Sequence, residues 1–443
     1  MLIREIVMKQ IRLLFSITLT LLTLFSMSAV TASAEDDRPP LYEIFKDHTS
    51  YTMVASRKGY FAYAPENSLP AIKAAENSGA DIIEIDIRTT ADGVLILMED
   101  ETVIRTCYDY GENTVVSEMP YNKIKTLKLL SGQGGVNAEK TAEAVPTLEE
   151  VFKDRKLYYL SSSSTETKQK ALFMLDFDWS IRDKISNLVI ENDMENEVIF
   201  YIDDAKPDEI EAWKETLPFE PMIMTYFKGN VIFAATANVK NDAETADCIH
   251  LATKNPYGVV FGETVQNTAY ETGIRTMATP CCPEICGTQM QDTEIWWDYL
   301  ISAGFNVIMT DNVTALRTYV DDSHNKKALE LDRAINIYID QWQLPDFNQD
   351  KFLDYKRAYT NAAKNAENLM SRDLSRSYSD ITTAVYELRK AVEDINLNYD
   401  SFEDGTAGTT INPLTIFLSA LAIAVVTVAE IYVYKKKKKY GAL

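Results

Sequence analysis

Glu84 and Asp86 alternate in the stretch EIDIR. Side chains on an extended strand repeat every second residue, so the two carboxylates share one face. Asp176 ends the apolar run FMLDF, Glu66 sits in APENS, and Arg57 and Lys58 stand side by side in ASRKGY. Carboxylates at the C-terminal ends of parallel strands point into the mouth where barrel enzymes hold substrate. Several acidic oxygens converging there raise one another's pKa unless a counter-ion intervenes. For an all-oxygen donor set that counter-ion is a hard divalent cation, Ca2+ or Mg2+.

The elements that must position these groups lie between about Tyr51 and Val320, where short apolar runs alternate with amphipathic stretches in an α/β pattern. Strands are expected at TMVAS (52–56), DIIEIDI (81–87), GVLILME (93–99), ALFMLDF (171–177), EVIFYI (197–202), PMIMTYF (221–227), GIRTMAT (273–279) and NVIMT (306–310). Helices are expected at SLPAIKAAENSGA, opened by Ser68, and at YNKIKTLKLL, TLEEVFKD, DEIEAWKETL, EIWWDYLISAG and VTALRTYV. This alternation suits an α/β TIM (β/α)8 barrel over residues 50–322, with a doubly wound sheet as the runner-up on pattern alone. Two polar insertions, 131–144 and 161–170, read as surface loops that add no chemistry.

From 325 to 398 glycine disappears and apolar residues recur at helical spacing, as in Ile381, Ala384, Val385, Leu388, Ala391, Val392 and Ile395. Three helices broken near QLPDFNQ and SRDLSRS make a small all-α bundle. The third resembles the helical modules repeated in Gram-positive surface proteins, and a plain spacer is the favoured role. Residues 399–412 then form a flexible linker.

Both ends carry membrane signals. Arg4, Lys9 and Arg12 precede an apolar run that ends in Ala32-Ser33-Ala34. That is the layout of a signal peptide over 1–34, an uncleaved anchor being the alternative. Residues 413–434 are apolar except for Glu430 and long enough for a transmembrane helix. Lys435 to Lys439 follow, and this basic tail (435–443) fixes its end on the cytoplasmic side. The expected localisation is a single-pass cell-membrane protein with an extracellular ectodomain. Setting aside eight basic and two acidic residues of the ends, the net charge of −22 becomes −28. Such a surface repels nucleic acid and anionic lipid, so no nucleic-acid partner is expected. The five cysteines include the cluster CCPEIC. No second Cys/His pair at zinc spacing accompanies it, so a loop disulfide or buried thiols is expected.

The stretch RKGYFAYAPENSLPAIKAAENSGADIIEIDIRTTADGVLILMEDETVIRT carries a specific resemblance. VPTLEEVF (145–152), FMLDFD (173–178) and GFNVIMTDNVTALRTYV (304–320) extend it through nearly the whole barrel. These segments resemble the glycerophosphodiester phosphodiesterase family. The resemblance implies a barrel that hydrolyses glycerophosphodiesters to glycerol 3-phosphate and an alcohol. It also implies a divalent metal clamping the phosphate, with two histidines as general base and acid. By position, Glu84 and Asp86 match the metal-binding pair, Asp176 the later acidic ligand and Glu66 the motif glutamate. Arg57, Lys58 and Glu66 are then the expected phosphate-binding set. The histidines do not carry over. Arg57 (or Ser56, on a one-residue shift) stands at the first and Glu99 at the second, and Asp178 replaces a lysine after the later ligand.

Arginine does not deprotonate in a protein, so Arg57 is no base. Glu99 serves as a base, and as an acid only with a raised pKa. His48 precedes the first strand, His324 follows the barrel, and His250 in DCIHLA reads as structural. Three readings follow. The first is a catalytically impaired barrel that binds a phosphodiester-type small molecule or lipid headgroup through a metal. The second is an active phosphodiesterase using Glu99 and a metal-bound water, and the third a non-catalytic surface scaffold.

Overall fold

The structure, a computed structural model, describes residues 39–161, 170–321, 331, 334–345, 350–371 and 378–399. The expected signal (1–34), membrane span (413–434) and basic tail (435–443) lie outside the described residues, as do nearly all of the linker (399–412) and most of the insertion 161–170. No helix among the described residues is long and apolar enough to cross a membrane.

Twelve strands form two sheets: β1 (Met53–Ser56), β2 (Ile82–Thr89), β3 (Leu95–Leu97), β4 (Cys107–Tyr108), β5 (Lys128–Leu130), β6 (Lys140–Ala144), β7 (Leu172–Asp176), β8 (Val198–Ile202), β9 (Met222–Lys228), β10 (Cys248–Ala252), β11 (Arg275–Ala278) and β12 (Val307–Thr310). β1, β2 and β7 to β12 are parallel neighbours, and β1 pairs with both β2 and β12, which closes an eight-stranded TIM barrel with helices between successive strands. β4, β5 and β6 make a separate three-stranded sheet inside the segment between β3 and β7.

Three expectations change. GVLILME supplies β3, which pairs antiparallel with the far end of β2 and stands outside the barrel. The barrel strand missed is β10, CIHLA, whose five residues are all buried. Its central histidine breaks the apolar run that marks the other strands, so the sequence signal there is weak. YNKIKTLKLL divides into a short helix, Tyr121–Ile124, and the strand β5. The apolar side chains of that stretch pack under the mouth insertion with Ile96, Met98 and Val116.

Strand periodicity sorts the barrel into two apolar layers. Ile83, Ile85, Phe173, Leu175 and Ile249 pack outward against the helices. Ile82, Leu172, Met174, Met224, Cys248 and Met277 fill the barrel interior. On β2 the inward face therefore reads Ile82, Glu84, Asp86, apolar at the bottom and acidic at the top. The five cysteines are free thiols, four of them buried.

The short helix Leu41–Lys46 plugs the bottom, with Leu41, Ile44 and Phe45 in the interior cluster. Arg275, 0% exposed, ties it in place. Its guanidinium donates to the carbonyls of Ile44 (2.6 Å), Phe45 (2.9 Å), Asp47 (2.7 Å), Tyr51 (3.3 Å) and Asn306 (3.0 Å). Burial lowers its pKa to about 10, so the charge is retained at neutral pH.

Two helices, Asp350–Ser371 and Tyr378–Leu397, pack with the turn Asn336–Gln341 around their own core of Phe352, Ala366, Ala384, Leu388 and Ile395. The second helix is fastened to the barrel. Arg389 donates to Asn267 Oδ1 (2.7 Å) and the Ala303 carbonyl (3.1 Å), while Glu393 accepts from Thr264 (2.9 Å) and Asn267. Tyr270 and Tyr386 stack with centroids 3.9 Å apart.

Replacing Arg275 with methionine leaves several buried carbonyls without donors, each costing about 1–3 kcal/mol. Arg275→Met is expected to lower stability by about 3 kcal/mol or more, read from urea unfolding. It should also expose the chain near Asp47 to limited proteolysis.

Candidate active site

β2 and β7 run parallel with Asp86 opposite Asp176 and Glu84 opposite Met174. That register brings Glu84, Asp86 and Asp176 together at the mouth, with one carboxylate oxygen from each within 4.8 Å of the others. Burial, then repulsion from Asp86 and Asp176, drives the Glu84 pKa well above the usual carboxylate range. Burial raises Asp86 and Asp176 as well.

The loop after β1 is shaped to this cluster. Lys58 adopts a left-handed backbone (φ 55°), which aims its N–H at Glu84 Oε2, 2.6 Å away. Gly59 follows with φ 73°, and a Cβ there would come within 2.8 Å of the Ala71 backbone, so glycine alone fits. Asn67, also left-handed at φ 53°, donates from Nδ2 to Asp86 Oδ2 (2.6 Å) and accepts the Asp86 N–H on Oδ1 (3.1 Å). No donor among the described residues reaches the Asp176 carboxylate.

The cations around the mouth are matched to other carboxylates. Arg57 forms a two-pronged pair with Asp311, at 2.8 and 2.9 Å. The Lys58 amine is paired with Glu99. Burial opposes the Lys58 charge, but Glu66, Asp86 and Glu99 outweigh it and raise its pKa. Arg105 grips Glu66 at 2.7 and 3.0 Å, Asp100 at 2.6 and 3.0 Å, and Glu99 at 2.8 Å. Arg88 donates twice to the Glu99 carbonyl, at 3.0 and 2.6 Å.

Three oxygen donors with raised pKa values fit a divalent cation by their chemistry. Placing one there replaces mutual repulsion with attraction, and the neutral hydrogen-bond partners already orient Glu84 and Asp86.

Residues 58–257 match the model of the glycerophosphoryl diester phosphodiesterase family. Those residues, most of the barrel, make up a domain of that family. A glycerophosphodiester phosphodiesterase of Caldanaerobacter subterraneus subsp. tengcongensis is 40% identical over 103 residues, which is 23% of this chain and 39% of that protein. One from Bacillus subtilis is 32% identical over 123 residues, 26% of this chain and 41% of that protein. The matched stretch thus spans about two fifths of these relatives. The crystal structure of a glycerophosphoryl diester phosphodiesterase from Parabacteroides distasonis shares the fold. It is 17% identical with a TM-score of 0.50, and the alignment covers 64% of this chain and 92% of that one.

Within this domain, the sequence-expected residues separate into two groups. Glu84, Asp86 and Asp176 converge as a cluster. Arg57, Lys58, Glu66 and Glu99 surround it as members of ion pairs. Sequence reasoning missed Asn67, Arg105 and Asp311. Asn67 lies inside the PEN turn already singled out, and Arg105 ends the most family-like stretch, so both had a signal. The insertion 131–144, expected to add no chemistry, contributes the Gln133 carbonyl to Arg105 (2.6 Å) and the Gly132 carbonyl to the Glu66 N–H (2.8 Å). Asp178 caps the turn Trp179–Ile181 by accepting from the Ser180 N–H at 2.8 Å.

His250 lies in the barrel interior between Tyr201 Oη (2.9 Å from Nδ1) and Thr279 Oγ1 (2.8 Å from Nε2). Burial lowers its pKa to about 3, so the imidazole is neutral there.

Asp176→Asn removes one buried charge while keeping the shape. We expect a higher melting temperature in chelator and loss of most of the rise that Ca2+ gives the wild type, by differential scanning calorimetry. The His250 shift has its own signature. Between about 6.5, its ordinary value, and about 3, the unfolded chain binds the proton that the folded chain refuses. Stability from this group therefore falls as pH falls through that window. The His250→Gln variant should lose stability less steeply than wild type from pH 6.5 to 4, measured by denaturant midpoints.

Proposed function

We propose that this chain is a membrane-anchored family member that holds a divalent cation on Glu84, Asp86 and Asp176 and takes a phosphodiester-type anion there, with impaired proton transfer. The observation that carries this reading is the fate of the two histidine positions. Arg57 is bonded through both prongs to Asp311, and Glu99 is ion-paired to Lys58 and Arg105.

A bound Ca2+ or Mg2+ supplies Lewis-acid attraction for a phosphoryl oxygen. The chain's own residues do the rest. The Lys58 N–H and the Asn67 amide orient Glu84 and Asp86. Arg105 fixes Glu66, Glu99 and Asp100 as one unit. To donate a proton to a leaving alcohol, Glu99 must give up its ion pairs with Lys58 and Arg105. Arg57 has no proton to give at neutral pH. A second reading, in which Glu99 accepts a proton from the attacking water, is favoured by its side-chain exposure of 42%, which leaves the carboxylate within reach of solvent. Anchoring through 413–434 rests on the apolar run and the lysines that follow it.

The test is hydrolysis of glycerophosphocholine by the full chain with Ca2+ or Mg2+. General acid–base groups contribute about 10²–10⁴ in rate. The Arg57→His, Glu99→His double variant should therefore gain turnover of that order over wild type. Turnover by wild type at rates the double variant does not exceed overturns the impaired reading. If Glu99→Gln then abolishes that turnover, the second reading takes its place.

A further inference from the structure

Twelve large apolar side chains stand exposed among the described residues. Nine of them follow the C-terminal ends of barrel strands, in the loops and helix starts around the mouth. Among the described residues, the loops that lead into the strands at the opposite end carry none. Tyr63 (72% exposed) follows β1, Ile104 (53%) and Val136 rise from the insertion after β3, and Val231 (58%) and Phe233 (80%) follow β9. Tyr257 follows β10. In the closed order β1-β2-β7-β8-β9, the first and last of these strands are four places apart in eight, so apolar tips flank the mouth from opposite sides.

Large exposed apolar groups concentrated on one face mark an interaction surface. Its form favours a lipid leaflet. The groups stand on several loops around an acidic mouth, not along the walls of one groove. The sequence also supplies a bilayer-length apolar run, 413–434, with only thirteen residues between it and Tyr399. Thirteen extended residues reach about 45 Å, enough to let the barrel turn its mouth toward the bilayer that holds the run. The net charge of −28 without the two ends sets the kind of leaflet, since attraction to anionic lipid is ruled out and apolar contact with a zwitterionic surface is not.

We propose that the mouth face docks on a zwitterionic leaflet, with Tyr63, Ile104, Val136, Val231 and Phe233 entering among the acyl chains, so that the acidic cluster meets the phosphodiester of a lipid headgroup. This inference rests on the anchored-site reading above.

The full chain is reconstituted in phosphatidylcholine vesicles containing a phosphatidylcholine with a photoreactive diazirine in its acyl chain. Adducts are mapped by mass spectrometry after illumination. Adducts are expected in peptides carrying Tyr63, Ile104 and Val231 to Phe233 as well as in 413–434. The Val231→Ser, Phe233→Ser double variant should lose at least tenfold of the adducts on its own β9 loop, while those in 413–434 and the affinity for Ca2+ stay unchanged. Adducts confined to 413–434 overturn the docking inference and leave the anchored site standing. Absence of adducts from both regions overturns the anchor and the docking with it. A dimeric mass in native mass spectrometry of the detergent-released chain, with rim adducts absent, shows a second copy as the occupant and equally overturns it.

Discussion

The mouth of this barrel depends on one constraint, the enclosure of three like charges. Glu84, Asp86 and Asp176 are brought together by the register of β2 and β7 and cannot move apart without breaking it. Burial and repulsion both disfavour three carboxylates in that space. The nearby cations attract the cluster only from a distance, their hydrogen bonds going elsewhere. Arg57 turns to Asp311, Lys58 to Glu99, and Arg105 to Glu66, Glu99 and Asp100. What reaches the cluster is a backbone N–H on Glu84 and a neutral amide on Asp86. Dipoles orient carboxylates without neutralising them, so the remaining charge is available for a divalent cation.

The same constraint explains the backbone around it. Two non-glycine residues close to the site, Lys58 and Asn67, hold left-handed conformations. Such conformations cost free energy and persist where the surrounding contacts fix them. Each places a polar group on the acidic pair. The Lys58 carbonyl accepts the Asn67 N–H at 2.9 Å, so the two strained positions brace each other. Gly132, from the distant insertion, closes the loop from the other side through Glu66. A surface loop by composition has become part of the wall.

How much of this was legible in the sequence depends on the range of the physics involved. The pairing of Glu84 with Asp86 follows from a period of two and needs no tertiary knowledge, and Asp176 was marked by its place at the end of an apolar run. The (β/α) alternation was readable for the same reason. β10 was not, because an inward His250 interrupts its apolar pattern and only the packed interior, with Tyr201 and Thr279 as partners, makes that tolerable. β3 read as a barrel strand because its burial is genuine, but its partner is the far end of β2 in antiparallel register, which no local pattern reveals. Asp311 escaped notice because its role exists only across 254 residues of chain, in the pair with Arg57.

Arg57 and Glu99 are best understood through those distant partners. A charged residue placed alone in a buried mouth would incur a desolvation penalty with nothing to offset it. Here each arrives with complementary charge, Asp311 for the one and Lys58 with Arg105 for the other. An incoming phosphodiester must therefore compete with built-in carboxylates for Arg57, Lys58 and Arg105. A divalent ion on the three-carboxylate cluster faces no such competitor, because the cluster's own hydrogen bonds are neutral. On the proposed reading, a metal held there, and not the basic residues, would be the primary seat for an anionic ligand, with Arg57 and Lys58 reached only by exchange.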